Sequence, residues 1–117
     1  MTSLQQKSLN VPDETRTPPK TRVEVVKFGD VSVMRLTLEP GWKWSEHIKP
    51  GAGTESCQVP HLSYIISGRI HVVMDDGTEA DLGPGDTALI APGHNAWVVG
   101  TEPCVQLDFQ GGHLYAK

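Results

Sequence analysis

The stretch HLSYIISGRIHVVMDDGTEADLGPGDTALIAPGHNAWVVG, residues 61–100, decides the fold. It consists of short runs rich in Ile, Val, Leu and aromatic residues, set between turn signals. His61 to Ser67 reads as a strand, Gly68 turns the chain, and Arg69 to Asp75 reads as the next strand. Asp76-Gly77 is a strong two-residue hairpin signal, and Thr78 to Leu82 forms the short return strand. Gly83-Pro84-Gly85-Asp86 is a tight turn, Thr87 to Ala91 is apolar, Pro92-Gly93 interrupts it, and His94 to Val99 resumes. The stretch carries no helical period.

The same pattern continues outward. Arg22 to Phe28 is rich in β-branched residues, and Gly29-Asp30 turns the chain. Val31 to Leu38 alternates, with Met34, Leu36 and Leu38 on one face, and Pro40-Gly41 ends it. Pro103 to Phe109 closes the set. About nine short strands of this kind predict an all-β sandwich or barrel. A closed barrel is favoured because closure removes edge strands.

Composition agrees. The chain has 117 residues, enough for one domain, with 38% hydrophobic and 21% charged residues. Twelve Gly and nine Pro make frequent turning unavoidable. The formal net charge of −4 offers no basic excess for phosphates, which excludes nucleic acid as an expected partner. No apolar run approaches the roughly 20 residues of a membrane span, so no membrane partner is expected. The N-terminus lacks the apolar core of a secretory signal, so a cytoplasmic location is expected, with Cys57 and Cys104 as free thiols. Residues 1–20, rich in Gln, Ser, Thr and Pro, are expected to be a flexible N-terminal tail or an arm on a neighbouring subunit. The folded domain is expected over residues 21–117.

One connection is long. Trp44 to His61 contains SEHIKPGAGTESCQVP and carries His47, Lys49, Glu55, Cys57 and Gln58. Loops of this length inside compact domains are often functional.

Taken with these features, the chain resembles a small single-domain cupin over roughly Phe28 to Phe109. Gly41 is followed by five residues and His47, and His61 by six residues and Gly68. The second half gives Gly85-Asp86 and then Ala91-Pro92-Gly93. The resemblance implies a jelly-roll β-barrel (a double-stranded β-helix), a small ligand inside it, and a homodimer. It also shows where the family's metal ligands are replaced. His47 matches the first family His, Lys49 stands in place of the second, and His61 stands where the family has Glu. Ala96 stands in place of the third His and Gly100 in place of Asn. His94 lies two residues before Ala96, which on a strand is the same face.

His47, His61 and His94 are therefore the candidate metal ligands. The resemblance implies that they point into the barrel from adjacent strands. Three neutral imidazoles without a carboxylate favour Zn²⁺ over Mn²⁺, with Fe²⁺, Ni²⁺ and Cu²⁺ as other candidates. Gln58 and Trp44 are expected to shape a substrate pocket, and Lys49 is a candidate for an anionic group of the ligand. Cys57 would bind Zn²⁺ well as a thiolate, but is read as a small buried apolar residue. Trp97 is expected to face away from His94. The expected function is a metal-binding cupin holding a small organic acid or carbonyl compound. The alternatives are a metal-free small-molecule-binding or sensory module, and a structural protein with an inert interior.

Overall fold

A computed structural model describes residues 3–113 and 115. Nine strands are present among the described residues: β1 (Glu14–Arg16), β2 (Thr21–Phe28), β3 (Val31–Leu38), β4 (His61–Ser67), β5 (Arg69–Met74), β6 (Glu79–Leu82), β7 (Thr87–Ile90), β8 (His94–Val99) and β9 (Cys104–Asp108). They form a jelly-roll sandwich of two antiparallel sheets. The larger has the order β1-β2-β3-β9-β4-β7 and the smaller the order β6-β5-β8. The expected closure is thus incomplete: β1, β7, β6 and β8 are sheet edges.

Alternation decides which side chains fill the space between the sheets. Met34, Leu36 and Leu38 of β3 are buried, as are Ile70 and Val72 of β5 and Ala96 and Val98 of β8. Trp42 and Trp44 complete this core. The chain passes from one sheet to the other at Gly68, with a β-bulge between Ile65 and Ser67 just before it. Gly68 has φ of 75°, and a Cβ there would stand 2.2 Å from the carbonyl oxygen of Pro103. Glycine is the residue that satisfies both constraints.

Two segments differ from their expected form. Residues 14–16, expected in a tail, make β1, which pairs with β2 of the same chain. The arm lies on its own sheet: the Asp13 carboxylate accepts from the Lys27 amide at 2.8 Å, and Arg35 reaches Leu9 and Asn10. The long connection contains two single-turn helices, α1 (Trp44–His47) and α2 (Lys49–Ala52). One turn is too short to leave a periodic signature in sequence. Among the described residues, no helix is long and apolar enough to cross a membrane.

Candidate metal centre

His61 is the first residue of β4 and His94 the first of β8. The two strands belong to opposite sheets, so the residues meet across the sandwich at one end. Alternation turns both inward: His61, Ser63 and Ile65 are buried along β4, as are His94, Ala96 and Val98 along β8. Their ring centroids lie 5.2 Å apart at 66°. Cys57 arrives from the long connection through a bridge to the β8 strand, with Cys57 N–H donating to the His94 carbonyl at 2.7 Å and Gly93 N–H donating to the Cys57 carbonyl at 2.7 Å. These two backbone bonds fix where the sulfur goes.

One ligand atom each from Cys57, His61 and His94 falls within 4.8 Å of the others. Cys57 Sγ stands 3.8 Å from His61 Nε2. Zn–S and Zn–N bonds of about 2.3 and 2.05 Å at a tetrahedral angle would set that separation near 3.6 Å. The Cys57–His61 pair therefore stands close to the separation that a shared ion would set.

The outer nitrogens are already committed. His94 Nδ1 donates to the Ala91 carbonyl at 2.9 Å, and His61 Nδ1 donates to the Asp108 carboxylate. Both arrangements place a proton on Nδ1, which leaves Nε2 as the nitrogen that a metal would take in place of a proton. Asp108 is 1% exposed, and it also accepts from the amides of Leu62, Gln110 and Gly111 at 3.3, 2.9 and 3.4 Å. It ends β9, which runs antiparallel to β4, so it stands beside the start of β4.

The electrostatics follow from this packing. Burial raises the Cys57 thiol, but the hydrogen bonds and charge of His61 and His94 outweigh it and bring its pKa down to about 6. Burial likewise opposes a charge on His61, and the Asp108 carboxylate with the Cys57 sulfur overcomes it, raising His61 to about 9. Cys104 has no such partners, and burial alone pushes it up to about 11.

Two cavities meet at this cluster. The inner one, about 30 Å³, lies between the sheets and is lined by His61, His94 and Asp108 among others. That is room for an ion or a water or two. The outer one, about 550 Å³, is lined by Cys57, Gln58 and the α1–α2 region. Trp44 and Tyr115 line both. The Tyr115 ring packs edge-on against His61, with centroids 5.1 Å apart, and Arg16 donates to the carbonyls of Gly112 and Tyr115 from behind.

The structure brings together two of the three expected ligands and puts Cys57 where His47 was expected. His47 closes α1, and its Nδ1 accepts from the Lys43 amide at 3.0 Å. It lines the outer cavity and is not among the three clustered donors. The physical reason is the helical turn, which replaces the strand on which inward alternation would depend. Of the pocket residues, Gln58 and Trp44 lie on the outer cavity wall. Lys49 does not; its Nζ pairs with Glu55 at 3.0 Å. Trp97 turns outward as expected and stacks on His71, with centroids 4.9 Å apart. Asp108 and Tyr115 were not singled out from the sequence. For Asp108 a signal existed: Cys104, Gln106 and Asp108 alternate, so polar residues occupy the inward positions of a strand. Tyr115 lies beyond the last strand and gives no such signal.

Comparison with known proteins places this geometry in a family. No curated protein matches the sequence. Among solved structures, a protein of unknown function from Rhizobium leguminosarum bv. viciae superposes with a TM-score of 0.68 at 17% identity, covering 96% of this chain and 100% of that one. KdgF from Halomonas sp. gives 0.58 at 19% identity, covering 84% of this chain and 87% of that one. An oxalate decarboxylase from Lactobacillus farciminis gives 0.60 at 17% identity, with 86% of this chain on 32% of that one. At such identities these likenesses establish the fold alone. The sequence profile of the EutQ-like cupin domain matches residues 42–106, a span that holds Cys57, His61 and His94 and both cavities' central walls, and the chain belongs to that cupin family.

Proposed function

We propose that this chain is a metal-binding cupin that holds a divalent ion, Zn²⁺ first, on Cys57, His61 and His94, with a small organic ligand in the adjoining outer cavity. The observation that carries the reading is the convergence of one nitrogen from each of two imidazoles and one sulfur within 4.8 Å, with both Nδ1 atoms bonded to acceptors. One thiolate and two imidazoles suit a borderline ion and leave a fourth position open. A bound Zn²⁺ would supply Lewis-acid polarisation of a carbonyl, or a bound water of lowered pKa. The protein's own part is to hold His61 in one tautomer through Asp108, to keep the sulfur against both rings, and to screen the site from bulk water with Trp44 and Tyr115.

Elemental analysis of untagged protein tests this. About one ion per chain, lost in a Cys57→Ser, His94→Ala double variant, is expected. Metal-free protein that gains no thermal stability from Zn²⁺, Fe²⁺, Ni²⁺, Mn²⁺ or Cu²⁺ would overturn it.

The second reading is a metal-free ligand-binding module. It is favoured by one observation: Cys57, His61 and Asp108 already partner one another, and no buried side-chain nitrogen or oxygen among the described residues lacks a hydrogen bond. Stabilisation of metal-free protein by a metabolite, undiminished by chelator, would select it.

We further propose a homodimer. On the outer face of the larger sheet, Leu62, Tyr64 and Ile66 of β4 lie beside Leu89 of β7, and Leu62 and Leu89 are cross-strand partners. Leu89 is 77% exposed, and a contiguous apolar face of this kind suits a second copy of the chain. Light scattering should give a dimer mass that falls to a monomer in Leu89→Lys. A monomeric parent protein would refute it. The free, buried thiols of Cys57 and Cys104 support a reducing, cytosolic setting.

A further inference from the structure

The outer cavity has a chemical character that the metal donors do not dictate. Its volume of about 550 Å³ lies in the range that takes a small organic molecule. Pro18 and Pro19 from the N-terminal arm, Trp44 and Ile48 from the helical turns, and Pro50 and Val59 give it an apolar side. No Lys or Arg is among its described lining residues; Glu46 is the one carboxylate there and His47, whose Nδ1 accepts from the Lys43 amide, the one imidazole. Lys49, which lies between the lining residues Ile48 and Pro50 in sequence, is not on the wall and is paired with Glu55.

The inner end of the cavity does not supply the missing positive charge. Here the argument rests on the metal reading: a divalent ion on the three donors has its two charges balanced by the Cys57 thiolate and the Asp108 carboxylate. An anionic ligand in the cavity would meet the Glu46 carboxylate and no Lys or Arg, and a carboxylate that gives up water without a counter-charge is unfavourably placed. A neutral ligand escapes that penalty and buries its apolar body against proline and tryptophan.

We propose that the outer cavity takes an uncharged carbonyl or hydroxyl compound with an apolar body, and discriminates against carboxylates. Its one polar end faces Cys57 and Gln58, and its apolar body lies against the proline and tryptophan side of the wall. The N-terminal arm becomes part of the binding site through Pro18 and Pro19, which explains a use for β1: it ties the arm down so that the wall is fixed.

Three compounds that share a phenylethyl body and differ at the polar end separate the possibilities: benzylacetone (a neutral methyl ketone), hydrocinnamyl alcohol, and hydrocinnamate. Binding is measured by calorimetry and thermal shift at pH 8 on the full chain, with metal content determined on the same samples. The expected result is that both neutral compounds bind at least tenfold more tightly than hydrocinnamate. Gln58→Lys, a change at an exposed wall position, should then narrow or reverse that preference by bringing a cation to the cavity. Equal or tighter binding of hydrocinnamate by the parent protein would overturn the proposal, and so would failure of all three to bind. Protein that contains no metal yet keeps the neutral preference would remove the metal reading and leave this assignment standing.

Discussion

Asp108→Asn is the most informative single change. Asp108 is 1% exposed and holds the Nδ1 proton of His61. The raised His61 pKa, from 6.5 to about 9, corresponds to roughly 3 kcal/mol at ~1.4 kcal/mol per unit. Burial opposes that shift and the Asp108 carboxylate, helped by the Cys57 sulfur, outweighs it, so removing the carboxylate should cost ~2 kcal/mol or more. Because the folded pKa is raised, the contribution is complete below pH 6.5 and disappears as pH climbs through 9. Asparagine keeps an oxygen for the amides of Gln110 and Gly111 but removes the charge facing His61. In a domain of this size ~1 kcal/mol moves Tm by about 4 °C, so metal-free Asp108→Asn should melt ~8 °C below the parent at pH 6. The gap should shrink clearly at pH 10. Calorimetry of both proteins with chelator at the two pH values reads this directly. A gap that is absent at pH 6, or equal at both pH values, would refute the charge-assisted pairing.

Other outcomes follow from the same geometry. Asp108→Asn should also weaken Zn²⁺ binding about 10–100-fold, as loss of a ligand's supporting partner usually does, measured by competition with a chromogenic chelator. The Cys57 thiolate in metal-free protein should appear with a midpoint near pH 6, followed by ultraviolet thiolate absorbance with Cys104 replaced by Ala; His61→Ala should move that midpoint upward. His47→Ala should leave metal stoichiometry unchanged, because its ring is engaged by Lys43 and not by the cluster; loss of metal in that variant would restore it as a ligand. Gly68→Ala should lower stability by ~2 kcal/mol or more in a denaturant titration, since its Cβ would collide with Pro103 at a left-handed φ.

The strands were legible because their signals are local. Alternation in Val31–Leu38 placed Met34, Leu36 and Leu38 inside, and the glycines at 68, 85 and 93, all with positive φ, marked the turns. The inward aim of His61 and His94 followed from the family resemblance, with the two-residue period putting His94 on the face of Ala96. What escaped was non-local. The arm looked unable to order itself, but Arg16 is buried by bonding carbonyls of the opposite chain end. Cys57 reaches the site only because its backbone pairs with His94, a contact that no spacing within the connection reveals. His47 kept its motif spacing but lost its strand to a single helical turn. The turn after β5 shows the same limit on a small scale: Met74 and Thr78 flank a three-residue loop, where Asp76-Gly77 suggested two.

Cobalt titration of metal-free protein reads the Cys57–His61–His94 centre itself, because thiolate ligation to Co²⁺ has its own charge-transfer absorption. The account predicts saturation at about one Co²⁺ per chain, with a charge-transfer band and tetrahedral d–d bands. It predicts that Cys57→Ser removes the former and that His94→Ala weakens binding. Co²⁺ that fails to bind, or spectra unchanged in Cys57→Ser, would contradict a metal held by Cys57, His61 and His94.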